Sequence, residues 1–381
     1  MIPYKRLGLL ICSVIILSGC WDSLEIEKRA FVTGIAVDLD SNQYKLTQQL
    51  INPSSLGTVE NKDSSSKPYR NLTQTGETIM EMNRDMIKKG GRKTNVTHLE
   101  LVLFSEALTK EEHKFANLMD IFLREKEMLR NVKVAITKDD ASKYLDVLPD
   151  NEKIPSEYIT ELLQNKANLD IAQPITVGDI QNFLLTKRSF IIPLIDQVNK
   201  TTLHYEGLAI YSGTSNKIVG ILKGSEAKGV NFINSKNQTG TMNIDINDKK
   251  VTMEILDIKS KISLENEDIN NLKFSIEIVL EAGIAEQNGS LDIMENENYK
   301  KLQKTLEKEI EQITKHTISI VQNEYQTDVI GLNRHLSKYH YPLWKSVEDD
   351  WEKGQSYFQK SSVSIDVNAI IEIPGDIIKS N

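Results

Sequence analysis

The stretch that most limits what this chain can become is Leu17-Ser18-Gly19-Cys20. Lys5 and Arg6 stand ahead of it, followed by eleven uncharged residues from Leu7 to Leu17. A basic start, an apolar run of that length and small residues before a cut make a secretory leader. The Cys directly after Leu-Ser-Gly gives it the form of a bacterial lipoprotein signal. Cleavage then falls between Gly19 and Cys20, and Cys20 carries a diacylglycerol on its sulfur and an acyl chain on its amino group. The alternatives are an uncleaved anchor and an ordinary leader with a coincidental Cys. Against the first, the uncharged run ends at Trp21 before Asp22, short of the roughly 18–20 residues that cross a bilayer. Each buried methylene contributes about 0.8 kcal/mol, and two chains hold where one does not. Everything from Trp21 onward is therefore expected to be a water-exposed body tethered to a membrane.

The body that remains is large and acidic. The chain has 381 residues, with 46 basic and 54 acidic side chains and a net charge of −8. Removing residues 1–19 takes Lys5 and Arg6 and no acid, so the mature charge becomes −10. That balance argues against nucleic acid as a partner and against a body that hugs anionic lipid over its whole surface. Of the two cysteines, Cys12 leaves with the leader and Cys20 is acylated. No disulfide framework is possible, and thiol catalysis has no residue to use.

Hydropathy patterning points to an α+β chain of three mixed domains, 20–140, 141–228 and 229–381, behind the leader at 1–19. In the first, Phe31–Leu39 and Tyr44–Ile51 flank the turn Asp40-Ser41-Asn42-Gln43 as a hairpin. Asn52–Pro68 is a polar loop, and Thr75-Gly76-Glu77 opens a helix that stops at Gly90-Gly91 behind Lys88 and Lys89. The continuous apolar run Leu99–Phe104 is a strand buried on both faces. Strands at Val132–Ile136, Ile191–Ile195, Leu203–Tyr211 and Lys217–Leu222 follow, between helices through Phe115–Phe122, Asp139–Leu145, Pro155–Ala167 and Thr176–Leu185. The last domain reads as an antiparallel sheet packed on one long helix, Glu297–Tyr325. In Val251–Leu264 the alternation slips at Ile255-Leu256, the mark of a β-bulge, and Val363–Ile373 closes the sheet.

Sites of chemistry are scarce. Asp38, Asp40 and Asn42 mimic the start of a calcium loop, but Gln43 and Gln49 occupy the positions that need Gly and Glu. A hairpin turn is the better reading. Lys88, Lys89, Arg92 and Lys93 lack phosphate-loop spacing. They suit a cationic helix terminus or a contact for lipid headgroups or a partner's acidic face. His335 and His340 are five apart, on different faces of a helix, and do not make a metal pair. His98, where a strand begins, reads as a capping or core residue. Tyr341-Pro342-Leu343-Trp344 with Trp351 is either a core plug where a helix meets a sheet or an interface anchor centred on Tyr341 and Trp344. No catalytic constellation, metal site or cofactor fingerprint emerges, so no enzyme activity is expected.

Together these landmarks resemble the C-subunit lipoproteins of bacterial spore germinant receptors, the GerAC/GerBC/GerKC type. The resemblance rests on Leu17 to Asp22, Val32 to Asp38, Gly76 to Ile79, Gly91 to Lys93 with His98-Leu99-Glu100, and Phe122-Leu123-Arg124. It continues through Glu206 to Tyr211, Val219-Gly220, the region of Glu226, Asp328 to Gly331, Tyr341 to Trp344 and Trp351. One departure is Glu125-Lys126 after Arg124, where an acidic residue and Pro are more usual. The resemblance implies a three-domain lipoprotein without catalytic activity on the outer face of the spore inner membrane. It implies partners too: a multi-spanning and a large subunit of a nutrient receptor required for germination. A substrate-binding lipoprotein of a transporter is the alternative. It calls for two similar lobes around a cleft, which the meander and single long helix of the last third do not suggest.

Overall fold

The computed structural model describes residues 29–52, 67–124, 127–149, 152–165, 168–234, 239–246, 249–287 and 295–372. The expected leader with Gly19 and Cys20, most of the loop expected at Asn52–Pro68 and the departure at 125–126 lie outside the described residues. Ten strands form the first sheet: β1 Arg29–Asp40, β2 Gln43–Ile51, β3 Tyr69–Gly76, β4 Lys93–Asn95, β5 Leu101–Ser105, β6 Lys133–Thr137, β7 Ile175–Thr176, β8 Phe190–Asn199, β9 Thr202–Ser212 and β10 Lys217–Leu222. Their order is β10-β9-β8-β6-β5-β1-β2-β3, with β4 beside β1 and β7 beside β6.

The centre of this sheet is parallel: β1, β5, β6 and β8 run the same way. Parallel strands need crossovers, and crossovers cover both faces. Val102 and Phe104 of β5 therefore pack on one layer, α1 Ile79–Gly90 and α2 Lys114–Arg124, through Met82, Met86, Phe115 and Met119. Leu101 and Leu103 face the opposite layer, α3 Ala141–Tyr144 and α4 Pro155–Gln164, through Tyr144, Ile159 and Leu163. Every residue of β5 is buried, as its unbroken apolar run requires.

The β1–β2 hairpin grips the second layer by polar contacts. Asp38, 1% exposed, accepts the backbone N–H of Ala141 at 2.5 Å and of Ser142 at 3.1 Å, and pairs with Lys45 at 3.5 Å. Its carboxylate is spent on the first turn of α3, which disposes of the calcium-loop mimicry. Gln49 spans the neighbouring gap, donating to Leu145 O at 2.7 Å and accepting from Ser156 N at 3.0 Å.

The structure differs from the sequence expectation for the first helix and for His98. Thr75 and Gly76 end β3, and the helix begins later, with Thr78 Oγ1 accepting the N–H of Glu81. The polar strand β3 carries no apolar alternation and is held at the sheet edge by backbone pairing and by Thr47–Thr73 and Gln49–Asn71 contacts. Strands before and after residues 140/141 share one sheet, because β6 pairs with β8. His98 is exposed, with only an edge-on contact to Phe31 at 5.2 Å.

Before the second sheet comes α5 Val177–Leu185, opened by a Thr176/Asp179 capping box, and α6 Ser225–Asn234. The sheet itself is β11 Gly240–Ile246, β12 Lys249–Asn266, β13 Lys273–Gln287 and β14 Ser362–Glu372, in that order. The register shifts between Ile255 and Asp257, where the parity slip marked a bulge. β14 runs parallel to β13, not antiparallel as expected. The long helix α7 Asn296–Asn323 carries the chain back across the sheet, and a strand after such a crossover re-enters from the same end. Leu302, Leu306, Ile310 and Val321 of α7 fill the core beneath it. α6 packs so closely on α7 that a Cβ on Gly229 would overlap Thr317. Leu208, Ile210 and Leu222 of the first sheet belong to this second core, so the two sheets meet at β9 and β10.

Candidate functional site

Two places gather chemically informative residues. The first is the end of α1. Gly91 adopts the left-handed conformation, φ 66°, and returns its N–H to Ile87 O at 2.8 Å. That turn projects Lys88, Lys89, Arg92 and Lys93 to the surface. Lys88 pairs with Asp85 at 2.9 Å and Lys89 donates to Gln74 at 2.5 Å. Lys93 and Thr94 pair in parallel with Arg29 and Ala30, the first residues of β1. The cationic turn therefore stands where the chain arrives from its amino terminus, and the nine residues from Cys20 to Arg29 reach at most about 30 Å.

The second place is a polar seam between the two sheets. It involves the short helices α8 Leu332–Tyr339 and α9 Tyr341–Val347. Asp328, 1% exposed, accepts four hydrogen bonds. Oδ1 takes the N–H of Gly331 at 2.8 Å and of Leu332 at 3.2 Å, and Oδ2 takes Asn333 N–H at 2.6 Å and Trp351 Nε1–H at 2.9 Å. Its own N–H donates to Glu352 at 2.8 Å. The other carboxyl oxygen of Glu352 accepts from Ser189 Oγ at 2.7 Å and Thr214 Oγ1 at 3.3 Å, both on the first sheet's side. Arg188 reaches the opposite way and donates to Ser337 Oγ at 2.5 Å. A cavity of about 210 Å3 opens alongside, lined among others by Arg188, Arg334, Phe183 and Val329.

Burial governs the electrostatics. It pushes the Asp328 carboxyl above its ordinary value, against the pull of the four donors. Glu352 is pushed up to about 7, first by burial, with the nearby Asp328 charge adding to the rise. A carboxyl raised in the folded state binds protons that the unfolded chain has released. The stability it contributes is fullest below the ordinary glutamate value and declines as pH rises through about 7. Both carboxyls are occupied by protein donors, the hydroxyls of Ser189 and Thr214 among them at Glu352. Among the described residues no group of three or more His, Cys, Asp or Glu is placed to hold a metal.

The aromatic motif divides. Trp351 is 3% exposed and contacts Phe274, Phe358 and Trp344 with centroids 6.5, 6.1 and 5.8 Å away. It is a core plug. Trp344 is half-buried over it, whereas Tyr341 is 56% exposed with only the Lys345 ammonium over its ring. His335 and His340, expected on different faces, have ring centroids 5.5 Å apart. The chain leaves the helical conformation at His340 (φ −131°, ψ 49°), which swings the second ring back, and its Nδ1 meets Glu267 at 3.0 Å. The seam residues carry no local sequence signal, apart from Asp328 and Trp351 in the stretches that resemble the receptor lipoproteins.

Residues 22–197 match the family described as spore germination protein N-terminal domain, and residues 206–375 match spore germination B3/GerAC like, C-terminal. The chain belongs to the GerAC-type spore germination family. Relatives in Bacillus subtilis (strain 168) match over most of their length. Spore germination protein A3 is 28% identical, covering 96% of both chains, and spore germination protein B3 is 27% identical, covering 92% of this chain and 93% of that one. Spore germination protein YndF is 25% identical, covering 95% of each. The crystal structure of the GerBC protein shares the fold, with a TM-score of 0.58 at 22% identity over 89% of this chain and 96% of that one. Among the described residues of this GerAC-type chain, no helix is long and apolar enough to cross a membrane.

Proposed function

We propose that this protein is the lipid-anchored, non-catalytic subunit of a nutrient germinant receptor, held through Cys20 on the outer face of the spore inner membrane. It acts by contact with membrane-embedded receptor subunits. The observation that carries this is the match to both halves of the germination family in one chain, directly behind a lipoprotein cleavage sequence. Tethering confines the body within reach of its partners and raises their effective concentration without any new contact. The cationic turn at Lys88, Lys89, Arg92 and Lys93 stands beside the tether's point of arrival. It is placed to meet anionic headgroups or an acidic loop, at roughly 1 kcal/mol per cation near an anionic surface. Tyr341, exposed above the half-buried Trp344, is the aromatic candidate for a partner contact.

Deleting the gene should slow or abolish germination in response to one nutrient while vegetative growth on that nutrient stays normal. Measuring loss of spore refractility alongside growth rate separates the two. A growth defect with intact germination would instead support nutrient capture for a transporter.

A further inference from the structure

We infer that the cavity at the seam binds a small organic carboxylate with an apolar body, clamped between Arg188 and Arg334. The two guanidinium groups come from different parts of the fold: Arg188 just before β8, Arg334 on α8. Both line the same cavity. Neither forms an ion pair with another described residue, and Nε of Arg188 is buried without an acceptor. Burial and the neighbouring Arg334 charge pull the Arg188 guanidinium below its ordinary value, and the Asp328 charge opposes them only in part.

The carboxylates in the cavity wall are already committed. Asp179 accepts the N–H of Thr176 at 3.0 Å and its hydroxyl at 2.6 Å, closing the cap of α5. Asp328 holds four donors of its own. An incoming carboxylate would supply the missing acceptors through the fork geometry that guanidinium groups present. The remaining wall is largely apolar. Phe183 stacks on Phe190 at 5.0 Å, and Ile175, Ile191 and Val329 add apolar surface, with Gln173, Asn231, Asn234 and Asn333 also in the lining. Apolar wall of this kind favours a hydrocarbon body over a fully hydrated inorganic anion. At about 210 Å3 the space exceeds the roughly 150 Å3 that accommodates benzene in a dry protein cavity. One small ring or short chain fits. Because the Arg188 side chain already bridges to Ser337, such a ligand would also tie the first sheet to the C-terminal body.

This site stands independently of the receptor reading, and benzoate is a suitable probe. Calorimetric titration of the full acylated chain in detergent should show saturable benzoate binding on the order of 1 mM or tighter. Benzamide, the same shape without the charge, should bind about tenfold or more weakly, equivalent to about 1.4 kcal/mol. Arg334 is exposed, so Arg334→Gln keeps the core intact and should weaken benzoate by a similar factor. Arg188→Gln should do the same, and Arg334→Gln decides alone if that variant fails to fold. Absence of saturable binding, equal binding of benzamide, or benzoate affinity unchanged by Arg334→Gln would overturn the site. Inorganic phosphate competing as tightly as benzoate would overturn the apolar body.

Discussion

Cys20→Ala, in a chain exported behind an ordinary cleavable leader, should move the protein from the membrane fraction to the soluble fraction. On the proposed anchoring, the three acyl chains on Cys20 supply nearly all of the retention, at about 0.8 kcal/mol per buried methylene; a single myristoyl chain by itself gives only reversible binding near 10⁴ M⁻¹. What remains is the cationic turn. Four cations near an anionic surface contribute at most about 1 kcal/mol each. Lys88 is partly neutralised by Asp85, and the body as a whole is acidic. Any residual association should therefore disappear at about 1 M salt, where the Debye length is near 3 Å. Fractionation followed by immunoblotting reads this directly. Full retention of the variant after a salt wash would mean that something other than lipid holds the body down.

The second large effect belongs to Asp328. Asp328→Ala strands the part-buried N–H of Gly331 and the buried N–H groups of Leu332, Asn333 and the Trp351 indole. Each buried donor left without an acceptor costs about 1–3 kcal/mol, and breaking a buried charged network as a unit costs about 3–5 kcal/mol. A fall in melting midpoint on the order of 10 °C is expected for a chain of this size. Asp328→Asn retains one acceptor oxygen and should lose roughly half as much. Circular dichroism melts of the two variants against wild type test this ranking. An unchanged midpoint for Asp328→Ala would mean that the network does not hold the seam together.

Much of the fold is legible in the residues because most elements announce themselves locally. The stripe Leu302, Leu306, Ile310 builds one long helix, the unbroken run in β5 marks a doubly covered strand, and the slip at Ile255-Leu256 marks a bulge. What escapes has a common cause: it is decided by partners distant in sequence. The polar strand β3 exists because β2 offers it an open edge. α6 is buried nearly all round, so it shows no amphipathic stripe. The direction of β14 follows from the crossover, and alternation alone cannot distinguish parallel from antiparallel. Nor can local pattern reveal that β6 and β8 join one sheet across 140/141.

The candidate sites divide the same way. The lipid attachment proposed at Cys20 and the cationic turn are contiguous stretches, visible at once. The seam is assembled from Arg188, Ser189, Thr214, Asp328, Arg334 and Glu352, and only their three-dimensional arrangement gives them meaning. Asp328 and Trp351 appear as separate landmarks in the sequence, and a single 2.9 Å hydrogen bond joins them.

The account depends most on this body working by contact with receptor subunits in the same membrane. Affinity purification of the tagged chain from detergent-solubilised spore membranes, followed by mass spectrometry, examines that contact directly. Co-purification of a multi-spanning subunit and a large subunit, lost when Cys20→Ala frees the body from the membrane, is the predicted result. Recovery of the acylated chain alone under gentle detergent and after crosslinking would contradict it.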